Sequence, residues 1–324
     1  MLFLALVGLI SACQPDEPSP LLETIAPPPP RETAAQPPTS TATLSPTATE
    51  TPIPSPTPVA VVRFAVIGDF GEAGPGLAGV AALIDSWEVD LIITTGDNNY
   101  PVGSPETIDE NIGQYFHEYI SPYNGGFGAG GPNNRFFPSL GNHDWMWNNA
   151  QPYLDYFALP GNERYYQFTW DSIDFFAVSS DWAEPDGIGS NSPQADWLQE
   201  ALAASKAEWQ VVYFHHAPYS SGYHGPTPHM QWPFEAWGAD VVFTGHDHHY
   251  ERLEVEGLTY FVVGLCGGPI YAIPGNYPGS QFRYNQQHGA LLVEANPDEI
   301  WFGFYNIEGK LIDEAKINHG EPDS

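Results

Sequence analysis

Five short blocks in this 324-residue chain hold side chains suited to metal chemistry. They are GDFG (68–71), GDNNY (96–100), GNHD (141–144), VYFH (212–215) and GHDH (245–248). Each closes an apolar run that reads as a strand, so Asp69, Asp97, Asn142–His143, His215–His216 and His246–His248 fall at strand ends. Hard carboxylate and amide oxygens with several imidazoles suit ions such as Fe, Zn and Mn. Any one of these residues alone has an ordinary explanation. An Asp after a strand commonly caps the following helix, and a lone His is usually a satisfied side chain. Five sets in register are different, because clustered carboxylates and imidazoles are costly to desolvate without a partner.

The elements that must position these groups alternate between strand and helix. VVRFAVI, DLIITT, RFFPSL, WQVVYFHH, DVVFT and LTYFVVG read as strands, and further candidates lie near Leu291 and Trp301. GLAGVAALIDSW and PQADWLQEALAAS read as helices, while RYYQFTW and IDFFAVSS read as a strand pair. This alternation predicts an α/β architecture with partly parallel, mixed sheets. Ligand sites in such sheets lie outside the carboxyl ends of the strands, which is where the five blocks fall. The Gly- and Asn-rich segment 121–134 is too irregular for an element and reads as a rim loop.

In this order the blocks resemble those of the calcineurin-like metallophosphoesterases, and within them the small, single-domain purple acid phosphatases of the tartrate-resistant type. The resemblance runs motif by motif from Arg63 to Val255, and the tyrosine of GDNNY narrows it to the purple acid phosphatases. It implies a four-layer α/β/β/α sandwich of two mixed β-sheets flanked by helices. It also implies two metal sites. One takes Asp69, Asp97, Tyr100 and His248; the other takes Asp97, Asn142, His215 and His246, with Asp97 bridging. Fe(III) is implied at the Tyr100 site and a divalent Fe, Zn or Mn at the other. The implied reaction is hydrolysis of phosphate monoesters by a metal-activated hydroxide. His143 and His224 are the implied catalytic histidines, acting on phosphoryl charge and leaving group. His224 is placed by the nine-residue step from His215 to HGPT. Strand alternation turns His216 to the other side of its strand, in a supporting place. His229 and His249 read as surface or supporting residues, Asp247 as a supporting partner and Asp144 as an orienter of His143. The same motifs are compatible with a phosphodiesterase, and less readily with a non-catalytic surface module.

Composition sets the partners. Forty acidic and nine basic side chains give a net charge of -31. Residues 1–60 hold five acids and one Arg, so -27 belongs to residues 61–324. Phosphate-backbone binding needs clustered Lys and Arg, so nucleic acid is excluded as a partner. The resemblance implies a small phosphorylated substrate as the partner, and the chain is expected to be a monomer.

The N-terminal region reads separately. Residues 1–12 form a short apolar run before Cys13, like a secretory signal ending in a bacterial lipobox. The domain organisation is therefore a signal peptide and lipobox cysteine at 1–13, a Pro/Thr-rich tether at 14–60 and a catalytic domain at 61–324. Fourteen of the 33 prolines lie between Pro15 and Pro58, which leaves the tether nothing with which to build a core. The protein is expected to be exported, as a cell-surface lipoprotein or secreted, touching a membrane only through a lipid anchor at Cys13. A plain cleaved signal peptide is the alternative. Cys266 then has no partner left.

Overall fold

Runs rich in Val, Ile and Phe, buried on both faces, become the centres of two mixed sheets in the computed structural model, which describes residues 60–319. The leader, Cys13 and the tether up to residue 59 lie outside the described residues, as do residues 320–324. In chain order the strands are β1 (Val62–Ile67), β2 (Leu91–Thr94), β3 (Phe136–Pro138), β4 (Tyr166–Trp170), β5 (Ile173–Ala177), β6 (Trp209–His216) and β7 (Val241–Gly245). They continue with β8 (Tyr250–Val255), β9 (Leu258–Val263), β10 (Ser280–Tyr284), β11 (Gly289–Ala295), β12 (Glu299–Asn306) and β13 (Leu311–Asn318).

One sheet runs β13-β12-β11-β1-β2-β3 and the other β10-β8-β9-β7-β6-β5-β4. β1, β2 and β3 are parallel neighbours, and so are β5, β6, β7 and β9. The remaining pairs are antiparallel. The sheets pack face to face through aromatic side chains: Phe64 of β1 meets Phe175 of β5 at 5.1 Å and Phe243 of β7 at 6.3 Å, both edge-on. Along β6, Val211 and Tyr213 join this central core, whereas Val212 and Phe214 join a second one. That second core is roofed by Ala195, Leu198 and Leu202 of helix Pro193–Ala204. Its first turn is capped by the Ser192 hydroxyl, which accepts from the Ala195 amide at 3.2 Å. Helix Pro75–Asp85 starts on a proline and lays Leu77, Val80 and Ile84 against β11. Two mixed sheets flanked by helices are the sandwich that the resemblance implies.

Two local features differ from the sequence reading. β3 lasts only three residues, because Pro138 has no N–H to offer and the strand lies at the sheet edge. The β6–β7 register also shifts between Tyr213 and His216, so strict alternation stops before the His215–His216 doublet.

Candidate metal centre

The carboxyl ends of β1, β2 and β3 in one sheet and of β6 and β7 in the other deliver all seven proposed ligands to one place. Asp97 Oδ2 is their common point, 3.1 Å from the Tyr100 hydroxyl and 3.5 Å from His215 Nε2. On one side, Tyr100 Oη lies 3.4 Å from Asp69 Oδ1 and 3.1 Å from His248 Nε2, and these two are 3.4 Å apart. On the other side, His215 Nε2 lies 3.0 Å from Asn142 Oδ1 and 3.1 Å from His246 Nδ1. The candidate donors thus form two neighbouring sets that meet at Asp97, with Asp69, Asp97 and His215 also close enough to share one ion.

The backbone aims these side chains. His143 N donates to Asp97 Oδ1 at 2.9 Å, and His246 N donates to Asp69 Oδ2 at 2.8 Å. Each carboxylate therefore has one oxygen tethered and the other turned inward. Asp69, Asp97 and His246 take left-handed backbone conformations, with φ of 54°, 53° and 70°. Such strain concentrates where a turn must present a functional side chain. Gly141 is required by close approach, since a Cβ there would collide with the Asp97 amide and carboxylate.

The donor chemistry fits cations. Carbonyl oxygens only accept, so His215 and His248 carry their protons on Nδ1, bonded to Thr95 O at 2.9 Å and Pro269 O at 2.6 Å. Their Nε2 lone pairs then face the carboxylates and each other's neighbours. Burial, reinforced by Asp97 and Asp69, pushes the Tyr100 hydroxyl well above its usual range. Burial also pulls His246 far down, helped by the neighbouring histidines. For His215 and His248 burial acts downward too, but Asp97 and Asp69 outweigh it and raise both. Buried carboxylate, phenol and imidazole donors clustered this closely are costly without a countercharge, which a cation would supply.

Comparison with known proteins decides the family. Residues 62–250, more than half of the chain, match the family model of the calcineurin-like phosphoesterases. The chain belongs to that family. Over 301 residues it is 24% identical to the tartrate-resistant acid phosphatase type 5 of Mus musculus, covering 79% of this chain and 90% of that protein. A shorter match, 36% identical over 111 residues, takes in 29% of this chain and 24% of the Fe(3+)-Zn(2+) purple acid phosphatase 12 of Arabidopsis thaliana. Among solved structures, a purple acid phosphatase from yellow lupin (Lupinus luteus) seeds aligns with a TM-score of 0.62 at 19% identity. That alignment covers 82% of this chain and 55% of the lupin chain, and it speaks for the fold.

Around the seven donors, this calcineurin-like phosphoesterase arranges its other histidines unequally. His143 hands its Nδ1 proton to Pro101 O at 2.6 Å, leaving Nε2 3.9 Å from Asp97 Oδ2 and partly open to solvent. The His224 ring lies 4.2 Å from that of His246, and its amide donates to Asp247 Oδ1 at 2.7 Å. Asp247 also accepts from the Ser220 hydroxyl, so this buried carboxylate fastens the His224 loop. His216 is nearer the centre than alternation predicts. The register shift brings its ring within 4.5 Å of His246, while Ser180 Oγ lies 2.9 Å from its Nδ1. Its nitrogen can group with those of His215 and His246, and the doublet itself was the signal in the sequence.

Other readings need correction. Asp144 does not touch His143. It accepts from the Asn98 amide at 3.1 Å, from Asn98 Nδ2 at 2.8 Å and from the Gly141 amide at 2.8 Å, joining two of the motif loops. His249 takes the supporting alternative, buried with its Nε2 3.1 Å from Glu251 Oε2. Loop 121–134 is gathered by Asp109, which accepts from the Tyr123 hydroxyl and the Gly126 amide, both at 2.7 Å. It does not line the cavity at Tyr100. Segment 267–284 does, through Pro269 and Tyr271. Tyr271 stacks on His248 at 4.1 Å with the rings within 2° of parallel, a contact that spacing in sequence could not reveal.

Proposed function

We propose that the protein is a binuclear-metal phosphatase that hydrolyses phosphate monoesters. The observation that carries this reading is the meeting of two donor groups at one oxygen, Asp97 Oδ2, with His143 and His224 beside them. Asp69, Asp97, Tyr100 and His248 would hold Fe(III), for which a phenolate is a suitably hard donor. Asp97, Asn142, His215 and His246 would hold a divalent Fe, Zn or Mn. When bound, such a pair supplies charge neutralisation at phosphorus and acidifies a water nucleophile. His143, held by Pro101 O, presents Nε2 to phosphoryl oxygens. His224, held by Asp247, lies where it can protonate a departing alkoxide. With so few Lys and Arg, the chain's own grip on phosphate falls to these histidines. The apolar run before Cys13 supports a site of action outside the cytoplasm, free or lipid-anchored.

Assays with p-nitrophenyl phosphate test the reading. A His143→Ala variant is expected to lose about 10²–10³-fold in kcat; a loss under threefold would remove His143 from the reaction. Tyr100 has its own spectroscopic test. Iron-loaded protein is expected to absorb visible light through phenolate-to-Fe(III) charge transfer, and Tyr100→Phe to lose that band. An identical spectrum in the variant would assign the iron elsewhere.

A further inference from the structure

The cavity that opens on Tyr100, His143 and His248 has a volume of about 440 Å³. A phosphate bound beside Tyr100 and His143 would have this space open to its ester substituent. We propose, resting on the phosphatase reading above, that the preferred substituent is cationic, an alkylammonium alcohol seated between Tyr271, Glu72 and Glu110. Pro101, Pro269 and Tyr271 give the cavity an apolar and aromatic wall. Tyr271 is fixed, because the ring of His248 occupies one of its faces at 4.1 Å. An aromatic wall of this kind attracts alkylammonium groups.

Glu72 and Glu110 also line the cavity, and both are exposed. Neither belongs to an ion pair among the described residues. No Lys or Arg lines the cavity. Arg63 pairs elsewhere with Glu294, Arg164 with Glu184 and Asp186, and Arg252 with Asp313. A second phosphate on the substituent would meet two carboxylates and no cation. An ammonium group there would meet two unmatched negative charges and an aromatic side chain.

The test compares phosphocholine with its neutral isostere, in which carbon replaces nitrogen, on the full-length metal-loaded protein. At low salt, kcat/KM is expected to favour phosphocholine by about tenfold, the sum of weak exposed charge and cation–π contributions. The preference is expected to shrink at high salt, and to fall within about twofold in a Glu72→Gln/Glu110→Gln double variant. A wild-type ratio near one overturns the proposal. So does a preference that persists in the double variant, because the domain's net negative charge would then be its source. p-Nitrophenyl phosphate separates the two levels of inference. If it is hydrolysed while the ratio stays near one, only the substituent class is wrong; if no ester is hydrolysed, the phosphatase reading fails and takes this proposal with it.

Discussion

An Asp97→Asn variant is expected to lose at least about 10³-fold in phosphate release from p-nitrophenyl phosphate, while still folding. The two parts of this expectation come from the two oxygens of the same carboxylate. Oδ1 accepts from the His143 amide, and an Asn oxygen can keep that bond. Oδ2 is the atom on which Tyr100 and His215 converge, and an amide NH2 there brings hydrogens instead of a lone pair and negative charge. Both donor groups are therefore damaged by one isosteric change. Circular dichroism alongside the rate separates chemistry from folding. Turnover within tenfold of the wild type would remove Asp97 from the bridging role proposed for it.

Asp144→Ala is expected to act on the scaffold. The Asp144 carboxylate is buried and ties the Asn98 amide and side chain to the Gly141 amide. Truncation leaves three donors without this acceptor in a region closed to water. Breaking such a charged, buried network costs about 3–5 kcal/mol. Burial, with Asp97 nearby, raises the Asp144 pKa, which places the cost at the lower end of that range. For a domain of this size the melting midpoint of the metal-free protein is expected to drop by on the order of 10 °C. Metal affinity is expected to weaken about 10–100-fold as the loops bearing Asp97 and Asn142 lose their common anchor. A midpoint within 1–2 °C of the wild type, measured without metal to isolate folding, would show that the loops are held by other means.

The parts of this site that can be read from the sequence share a physical cause. Ligands at the ends of buried parallel strands announce themselves, because an apolar run stops abruptly at Gly-Asp, Gly-Asn-His or Gly-His. That punctuation marks Asp69, Asp97, Asn142, His215, His246 and His248, whereas Tyr100, the division into two sites and the paired sheets come from the resemblance. What escaped the sequence depends on contacts across long separations or on irregular backbone. The β6–β7 register shift cannot be inferred from periodicity, and it moved His216 towards His246. Asp144 looked like an orienter because it follows His143, yet its partners are Asn98 and Gly141. Tyr271 reaches His248 only through the fold. Strands β8, β10 and β13 escaped for a different reason. β10 and β13 lie at sheet edges and β8 next to an edge, and polar residues break the apolar runs of all three.

The net charge of -31 sits uneasily with an anionic substrate until the donor set is considered. Cations bound at Asp97 would reverse the sign of the field where phosphate would sit, while the rest of the domain stays acidic. On the proposed function phosphate binding depends on metal, and this dependence is the centre of that reading. It is tested most directly by titrating metal-stripped protein with iron and zinc while following p-nitrophenyl phosphate hydrolysis. The prediction is negligible turnover without metal, rising to a plateau at two ions per chain. Turnover that is undiminished in the stripped protein, or that stays absent at two ions per chain, would contradict it.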